Sequence, residues 1–238
     1  MKSDAGTHII ERMINMIFIT GDTHGEFEPF LNRLAKYDLT PNDTVIVCGD
    51  FGFDWGDPYH NAMLKELSRQ NFTIAFADGN HENFDFLYIH PEETWHGGRI
   101  HRVEQNVIHL MRGQIFEFEG KSFFTFGGAY SRDKYMRRPG VSWWEQEIPN
   151  SAEYRTAASN LEKVNYSVDY VLTHQSPERM IRALGHAPDA HDRELTGYLD
   201  WLYDNLDFKK WFAGHWHVNR SFDNGRMNIL LDEVVTIE

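Results

Sequence analysis

The stretch Met16-Ile17-Phe18-Ile19-Thr20-Gly21-Asp22-Thr23-His24-Gly25 decides how the rest of the chain is read. Its first half is a short apolar run stopped by glycine, the pattern of a buried strand. Its second half carries two metal-ligating side chain types two residues apart. In an extended segment such residues face the same side. Asp22 and His24 are therefore expected to address one ion while Thr23 points away. Gly21 and Gly25 leave space for backbone and metal to approach closely.

Working outward, 43–48 and 71–77 repeat the short, apolar, turn-terminated pattern and read as two more buried strands. Between the first two strands, Phe27, Phe30, Leu31, Leu34 and Tyr37 recur at three- and four-residue steps, which predicts an amphipathic helix. A second helix is expected over 61–70, with Met63, Leu64 and Leu67 on its apolar side. Strands alternating with helices imply a parallel sheet with helices packed on it. Ligands bind beyond the carboxyl ends of such strands, where Asp22, Asp50 and Asn80 lie.

Further along, 100–119 and 121–126 alternate apolar residues about Gly120 and suggest antiparallel strands. The stretch 131–149 is polar and rich in arginine and tryptophan, with little period, and reads as a long loop or cap. Such loops in compact domains are usually functional or disordered. A helix over 151–164 is expected with Ser151 as its N-cap. A strand over 168–173 delivers His174, helices follow over 178–184 and 193–206, and a strand over 208–213 delivers Gly214-His215-Trp216-His217. Asn224-Gly225, between 218–222 and 227–231, signals a hairpin. The expected organisation is one domain over 16–238 with a cap-like loop at about 131–149, preceded by an N-terminal extension over 1–15.

Composition narrows the class. The 238 residues are 41% hydrophobic and 14% aromatic, ample for a packed core rather than a disordered chain. A net charge of -13 argues against a general nucleic-acid binder, which normally shows a basic face. Bound cations would offset part of that charge locally. The single cysteine, Cys48, excludes an internal disulfide and reads as a small buried hydrophobe. No secretory apolar core is seen over 1–15 and no run is long enough to span a bilayer, so a cytoplasmic location is expected.

The chemistry lies in five signatures in one order: Asp22-Thr23-His24, Gly49-Asp50, Gly79-Asn80-His81, Thr173-His174 and Gly214-His215-Trp216-His217. Each alone has an ordinary explanation as loop polarity. Together they supply the oxygen and imidazole donors of a two-metal phosphoester hydrolase. His215 and His217 repeat the two-residue spacing of the first pair. Asp50 is the natural carboxylate bridge, because an anion offsets the repulsion between dications about 3.5–4 Å apart. Asn80 would offer a neutral amide oxygen, and His81, aimed elsewhere, a proton donor or phosphate contact. The remaining histidines (His8, His60, His90, His96, His101, His109, His186 and His191) lack a motif and read as surface or packing residues.

In this order the motifs resemble the calcineurin-like metallophosphoesterase superfamily, over the chain from about Ile17 onward. The resemblance implies a four-layer α/β fold, a sandwich of two β-sheets flanked by helices. It implies that Asp22, His24, Asp50 and His217 hold one metal, that Asp50, Asn80, His174 and His215 hold a second, and that His81 assists the leaving group. Gly21-Asp22-Thr23-His24-Gly25 and Gly79-Asn80-His81-Glu82 also resemble the branch of protein Ser/Thr phosphatases and symmetrical diadenosine tetraphosphatases. Two arginines of that branch are missing here, with Phe53-Asp54-Trp55 and Asp78 in their places. That departure argues against protein phosphatase activity. Asp54 is a candidate for orienting His81, at an offset differing by one residue.

Arg132, Arg137 and Arg138 are candidate phosphate ligands, since the planar guanidinium fork matches two phosphate oxygens. Trp143 and Trp144 would either stack on a base or anchor the loop to the core. The expected activity is hydrolysis of phosphomonoesters or phosphodiesters of small molecules or nucleotides, by in-line attack of a metal-bridging hydroxide. Oxygen and nitrogen ligation without thiolate suits Mn²⁺, with Fe or Zn²⁺ as alternatives. A catalytically silent, metal-dependent binding module of the same fold is the competing reading.

Overall fold

A computed structural model describes residues 15–237. The expected extension over 1–15 lies, apart from Asn15, outside the described residues. β1 (Ile17–Thr20), α1 (Phe27–Leu34), β2 (Thr44–Cys48), α2 (Pro58–Ser68), β3 (Thr73–Ala77) and α3 (Phe84–Leu87) form the first third. β4 (Glu92–Trp95), β5 (Gly98–Glu104), β6 (Val107–Leu110), β7 (Gln114–Phe118) and β8 (Lys121–Phe126) follow, then α4 (Ser151–Lys163). The last third contains β9 (Tyr170–Thr173), α5 (Glu178–Ala183), α6 (Arg193–Asn205), β10 (Lys210–Ala213), β11 (Arg220–Phe222), β12 (Met227–Ile229) and β13 (Val234–Ile237).

The strands make two mixed sheets, one of seven in the order β13-β1-β2-β3-β6-β5-β4 and one of six in the order β11-β12-β10-β9-β8-β7. β1, β2 and β3 run parallel, as the strand–helix alternation predicts. β5 pairs antiparallel with β4 and β6, and β7 with β8. β6 lies parallel to β3 and ties the middle of the chain to the first sheet.

Three apolar layers follow from the period of two along the strands. Ile17 and Ile19 of β1, with Ile46 and Ala75, face Phe123, Leu172 and Phe212 of the other sheet. Phe18, Val45, Val47, Ile74 and Phe76 point the other way, to Phe30, Leu34, Leu64 and Leu67 of α1 and α2. On the second sheet, Phe124, Val171 and Trp211 pack against Ala157, Leu161, Leu195 and Leu199 of α4 and α6. The result is the expected four-layer sandwich of two sheets between helices. Burial on both faces explains why these strands read as continuous apolar runs rather than alternations.

Local differences have local causes. Asn150, not Ser151, caps α4: its side chain accepts from the Ala152 and Glu153 amides at 2.8 and 3.2 Å, while Glu153 accepts from the Asn150 amide at 2.6 Å. This reciprocal capping box makes Ser151 the first helical residue. The Asn224-Gly225 signal does join antiparallel strands, with Asn224 left-handed at φ 55°. β13 was not foreseen. It pairs antiparallel with β1 at the edge of the seven-stranded sheet, a contact that spans almost the whole chain.

Candidate metal centre

The candidate ligands leave the carboxyl ends of β1, β2 and β3 from one sheet and of β9 and β10 from the other. Asp22, Asp50, Asn80 and His174 are all buried at that common edge. The ligand loops are tied to one another: the Thr23 and His24 amides donate to the Asp50 carbonyl at 3.1 and 2.8 Å, and the Gly25 amide to that of Phe51 at 3.0 Å. Behind them, the buried Glu82 carboxylate accepts from the amides of Phe51 (2.7 Å), Gly52 (3.2 Å) and Gly79 (3.4 Å). Burial, with Asp50 nearby, pushes the Glu82 carboxyl well above its usual range. Glu82 received no role from sequence reasoning, although its place at the end of Gly79-Asn80-His81-Glu82 was a signal.

The glycines before the ligands are a matter of close approach. A Cβ on Gly79 would collide with the Asp50 carboxylate, and one on Gly214 with that of Asp22. The extended geometry expected for the two Asp/His and His/His pairs is not what the chain adopts. His24 (φ 49°), Asp50 (φ 48°), His215 (φ 69°) and His217 (φ 48°) are all left-handed. Such backbone in non-glycine residues carries strain and clusters at functional sites. The pairs sit in tight turns, so strand alternation does not govern where their side chains point.

Two donor groups result. In the first, His24 Nε2 and His217 Nε2 are 3.0 Å apart. Asp22 Oδ2 is 3.2 Å from His217 Nε2 and 3.6 Å from His24 Nε2, and Asp50 Oδ2 is 3.8 Å from His24 Nδ1. One ligand atom from each of these four residues falls within 4.8 Å of the others. In the second, His174 Nε2 lies 3.1 Å from Asn80 Oδ1 and 3.3 Å from Asp50 Oδ1. The His215 ring is 5.0 Å from that of His174. His215 and His217 are thus separated between the two groups rather than placed together.

The donor set fits divalent cations. Asp22 Oδ2 is buried and accepts no hydrogen bond, an arrangement that costs free energy unless a cation compensates it. His174 Nδ1–H donates to the Cys48 carbonyl at 2.9 Å. This leaves Nε2 toward two oxygens, with the tautomer fixed by an outer partner as in metal-ligating histidines. Burial opposes the charge on His174, yet the Asp50 carboxylate raises its pKa to about 10. Asp50 is itself held far below the carboxylate range by His174, against the effect of burial. Burial and the neighbouring His174 hold His215 well below the usual imidazole range. The Asp22 carboxylate, 3.2 Å from its Nε2, raises the His217 pKa.

A cavity of about 220 Å³ opens over these groups, lined in part by Asp50, Asn80, His81, Tyr130, Arg132 and Trp216. The His81 amide donates to Asp50 Oδ1 at 2.7 Å. Its ring meets Arg137, whose Nη1 is 2.9 Å from Nδ1 and whose Nη2 is 3.3 Å from Nε2. Burial lowers the His81 pKa, and Arg137 adds to this. Arg137 is held by Asp133 at 2.7 Å and the Ser142 carbonyl at 3.0 Å. Arg132 donates to the Ala187 carbonyl at 2.9 Å and lies 5.0 Å over the Trp216 ring. Arg138 is joined to Ser142 through its backbone.

Other candidates lie elsewhere. Asp54 is bonded to His90, just after α3, at 2.8 Å and not to His81. Asp78 is a buried partner of Arg112 and His109. Trp144 is buried against Trp55, with its Nε1–H donated to Asp85 at 2.8 Å, and so anchors the loop instead of offering a face to a base. Trp143 is covered by Lys134 at 4.2 Å. His186 and His191 stack on the cavity residues Trp216 and Tyr130. Neither belongs to a sequence motif.

An α/β sandwich gathering Asp, His and Asn donors at the strand ends of two sheets defines the class of metal-dependent phosphoesterases. The family model described as calcineurin-like phosphoesterase matches residues 16–219, and the chain belongs to that family. Comparison with curated proteins finds no match. Among solved structures, similarity extends to a Staphylococcus aureus protein provisionally described as a 5′-nucleotidase, in complex with alpha-ketoglutarate (14% identity, TM-score 0.49, covering 94% of this chain and 51% of that one). It extends also to phosphopantetheinyl hydrolase from Mycobacterium tuberculosis (15%, 0.47, 91% and 89%). A protein serine/threonine phosphatase from Saccharomyces cerevisiae is a third (17%, 0.34, 91% and 67%). The chain spans about half the length of the first of these. Among the described residues, no helix is long and apolar enough to cross a membrane.

Proposed function

We propose that the protein hydrolyses phosphoesters of small molecules or nucleotides with two divalent cations, Mn²⁺ in the first instance. Asp22, His24, Asp50 and His217 would hold one ion, and Asp50, Asn80, His174 and His215 the other. The observation that carries this reading is the Asp50 carboxylate. Its Oδ2 faces the His24 group at 3.8 Å while its Oδ1 faces His174 at 3.3 Å. One anion between two donor groups is suited to bridging a cation pair. When bound, such ions lower the pKa of a coordinated water from 15.7 to about 7 and take up charge on phosphoryl oxygens. Donors of oxygen and imidazole, without thiolate, are compatible with Mn²⁺, Fe or Zn²⁺.

The remaining steps fall to the chain's own groups. Arg137, pre-set by Asp133 and the Ser142 carbonyl, offers its guanidinium edge to a phosphoryl group entering beside His81. Arg132 lines the same cavity and is the second phosphate contact. Arg138 is exposed and is assigned only to the remainder of a longer substrate. His81 donates a proton to, or hydrogen-bonds, the departing oxygen, a role worth about 10²–10⁴-fold.

Asp50→Asn tests the reading while preserving shape. It should abolish Mn²⁺-dependent release of nitrophenol from p-nitrophenyl phosphate and its bis ester, and reduce bound metal in elemental analysis. Wild-type turnover and metal content in this variant would remove the bridging role.

A further inference from the structure

The buried Asn80 carboxamide has two ends with different surroundings. Oδ1 faces His174 Nε2 at 3.1 Å, and Nδ2 donates to Ser131 Oγ at 3.1 Å. Ser131 is 1% exposed. Its hydroxyl has no other hydrogen-bond partner among the described residues, while its amide donates to Glu147 Oε1 at 2.9 Å. Glu147 is completely buried, and the same oxygen meets Lys134 Nζ at 2.6 Å. The Lys134 ammonium lies 4.3 Å over Tyr130 and 4.2 Å over Trp143. A continuous polar chain thus runs from Asn80 through Ser131 and Glu147 to Lys134 in the 131–149 segment.

We infer that Ser131 is a positioning residue for the metal centre, holding the Asn80 amide nitrogen so that its carbonyl oxygen faces the donor group of His174 and Asp50. The inference rests on the proposed reading of Asn80 as a ligand. A primary amide presents either an acceptor or two donors, and only the oxygen binds a cation. An acceptor on the nitrogen side stabilises the competent orientation. Glu147 requires only the backbone of residue 131, so the hydroxyl is specific to Asn80. The 131–149 segment therefore completes the metal centre as well as lining the substrate cavity.

Mn²⁺ titration calorimetry on metal-free protein tests this without reference to turnover. The wild type should bind two ions, and Asn80→Ala should weaken one. Ser131→Ala should weaken the same ion about 10–100-fold, the usual effect of losing an outer partner, and leave the other unchanged. Ser131→Thr, which keeps the hydroxyl, should restore binding to within a few-fold. In an Asn80→Ala background, Ser131→Ala should add nothing, because both act on one contact.

Wild-type affinities in Ser131→Ala, with Asn80→Ala weakened, would overturn the positioning role alone, as would an undiminished extra loss in the double variant. Two ions bound normally by Asn80→Ala would overturn the ligand reading and this inference with it. If Ser131→Ala lacks a cooperative thermal transition, Glu147→Gln replaces it. That change leaves an oxygen for the Ser131 amide but removes the negative charge that pairs with Lys134, and should weaken the same ion by less than the roughly 10–100-fold of losing an outer partner outright. Unchanged affinity there would overturn the polar chain.

Discussion

Loading the ion at His174 should expel a proton, and the structure sets the size of the effect. The Nδ1–H of His174 is committed to the Cys48 carbonyl at 2.9 Å, so exchange must occur at Nε2, between Asn80 Oδ1 and Asp50 Oδ1. Burial opposes a charge on this ring, but Asp50 raises its pKa to about 10. At pH 7 the metal-free site therefore holds a proton where a cation would bind. With about 1.36 kcal/mol per unit, displacing it across some three units costs about 4 kcal/mol, or about 10³ in apparent Kd.

Raising the pH removes the competitor, so Mn²⁺ affinity at this site should increase about tenfold per unit from roughly pH 6.5 to 8.5 and level off near 10. The metal-free fold should respond in the opposite sense. A folded pKa above the unfolded value of about 6.5 contributes stability that is complete below that pH and lost as pH rises through about 10. Calorimetric titrations in buffers of different ionisation enthalpy would count the protons, and one per ion at this site is expected. Affinity that is flat from pH 6.5 to 8.5, with no proton released, would refute the reasoning.

Arg137→Ala should raise KM for a phosphomonoester about 10-fold or more, since charge-assisted contacts are roughly twice as strong as neutral ones; steady-state kinetics with unaltered KM would remove Arg137 from the phosphate site. His81→Ala should lower kcat by about 10²–10⁴-fold while elemental analysis still finds wild-type metal content, and concurrent metal loss would instead make it a ligand. Asp78→Ala should destabilise the fold by about 3–5 kcal/mol in urea unfolding, because it strands a buried guanidinium: the Arg112 side chain is 2% exposed and, among the described residues, keeps only Glu153, at 3.2 Å, as a carboxylate partner. A shift of the midpoint corresponding to less than about 1 kcal/mol would mean that Arg112 finds water.

Much of the scaffold was readable because its signals are local. Short apolar runs at β1, β2, β3, β9 and β10 reflect burial on both faces, and each ends in the residue types that gather at the centre. The amphipathic period of α1 is likewise contained within one segment. The cap of α4 was misplaced by one residue because Asn150 and Ser151 are both good caps, and only the reciprocal Glu153 contact separates them. β13 escaped because a four-residue strand whose partner lies at the other end of the chain has little pattern of its own.

What the sequence determined by itself was the inventory: which strands are buried, and which oxygen and imidazole donors stand at their ends. Those properties depend on neighbours a few residues away, through side-chain period, turn chemistry and ligand type. Tertiary structure alone decided the partners. Left-handed turns divide His215 from His217, His90 takes Asp54, Arg137 reaches His81, and Ser131 meets Asn80 across 51 positions of chain. Each depends on how two sheets bring distant loops to one edge, and no local period encodes that geometry.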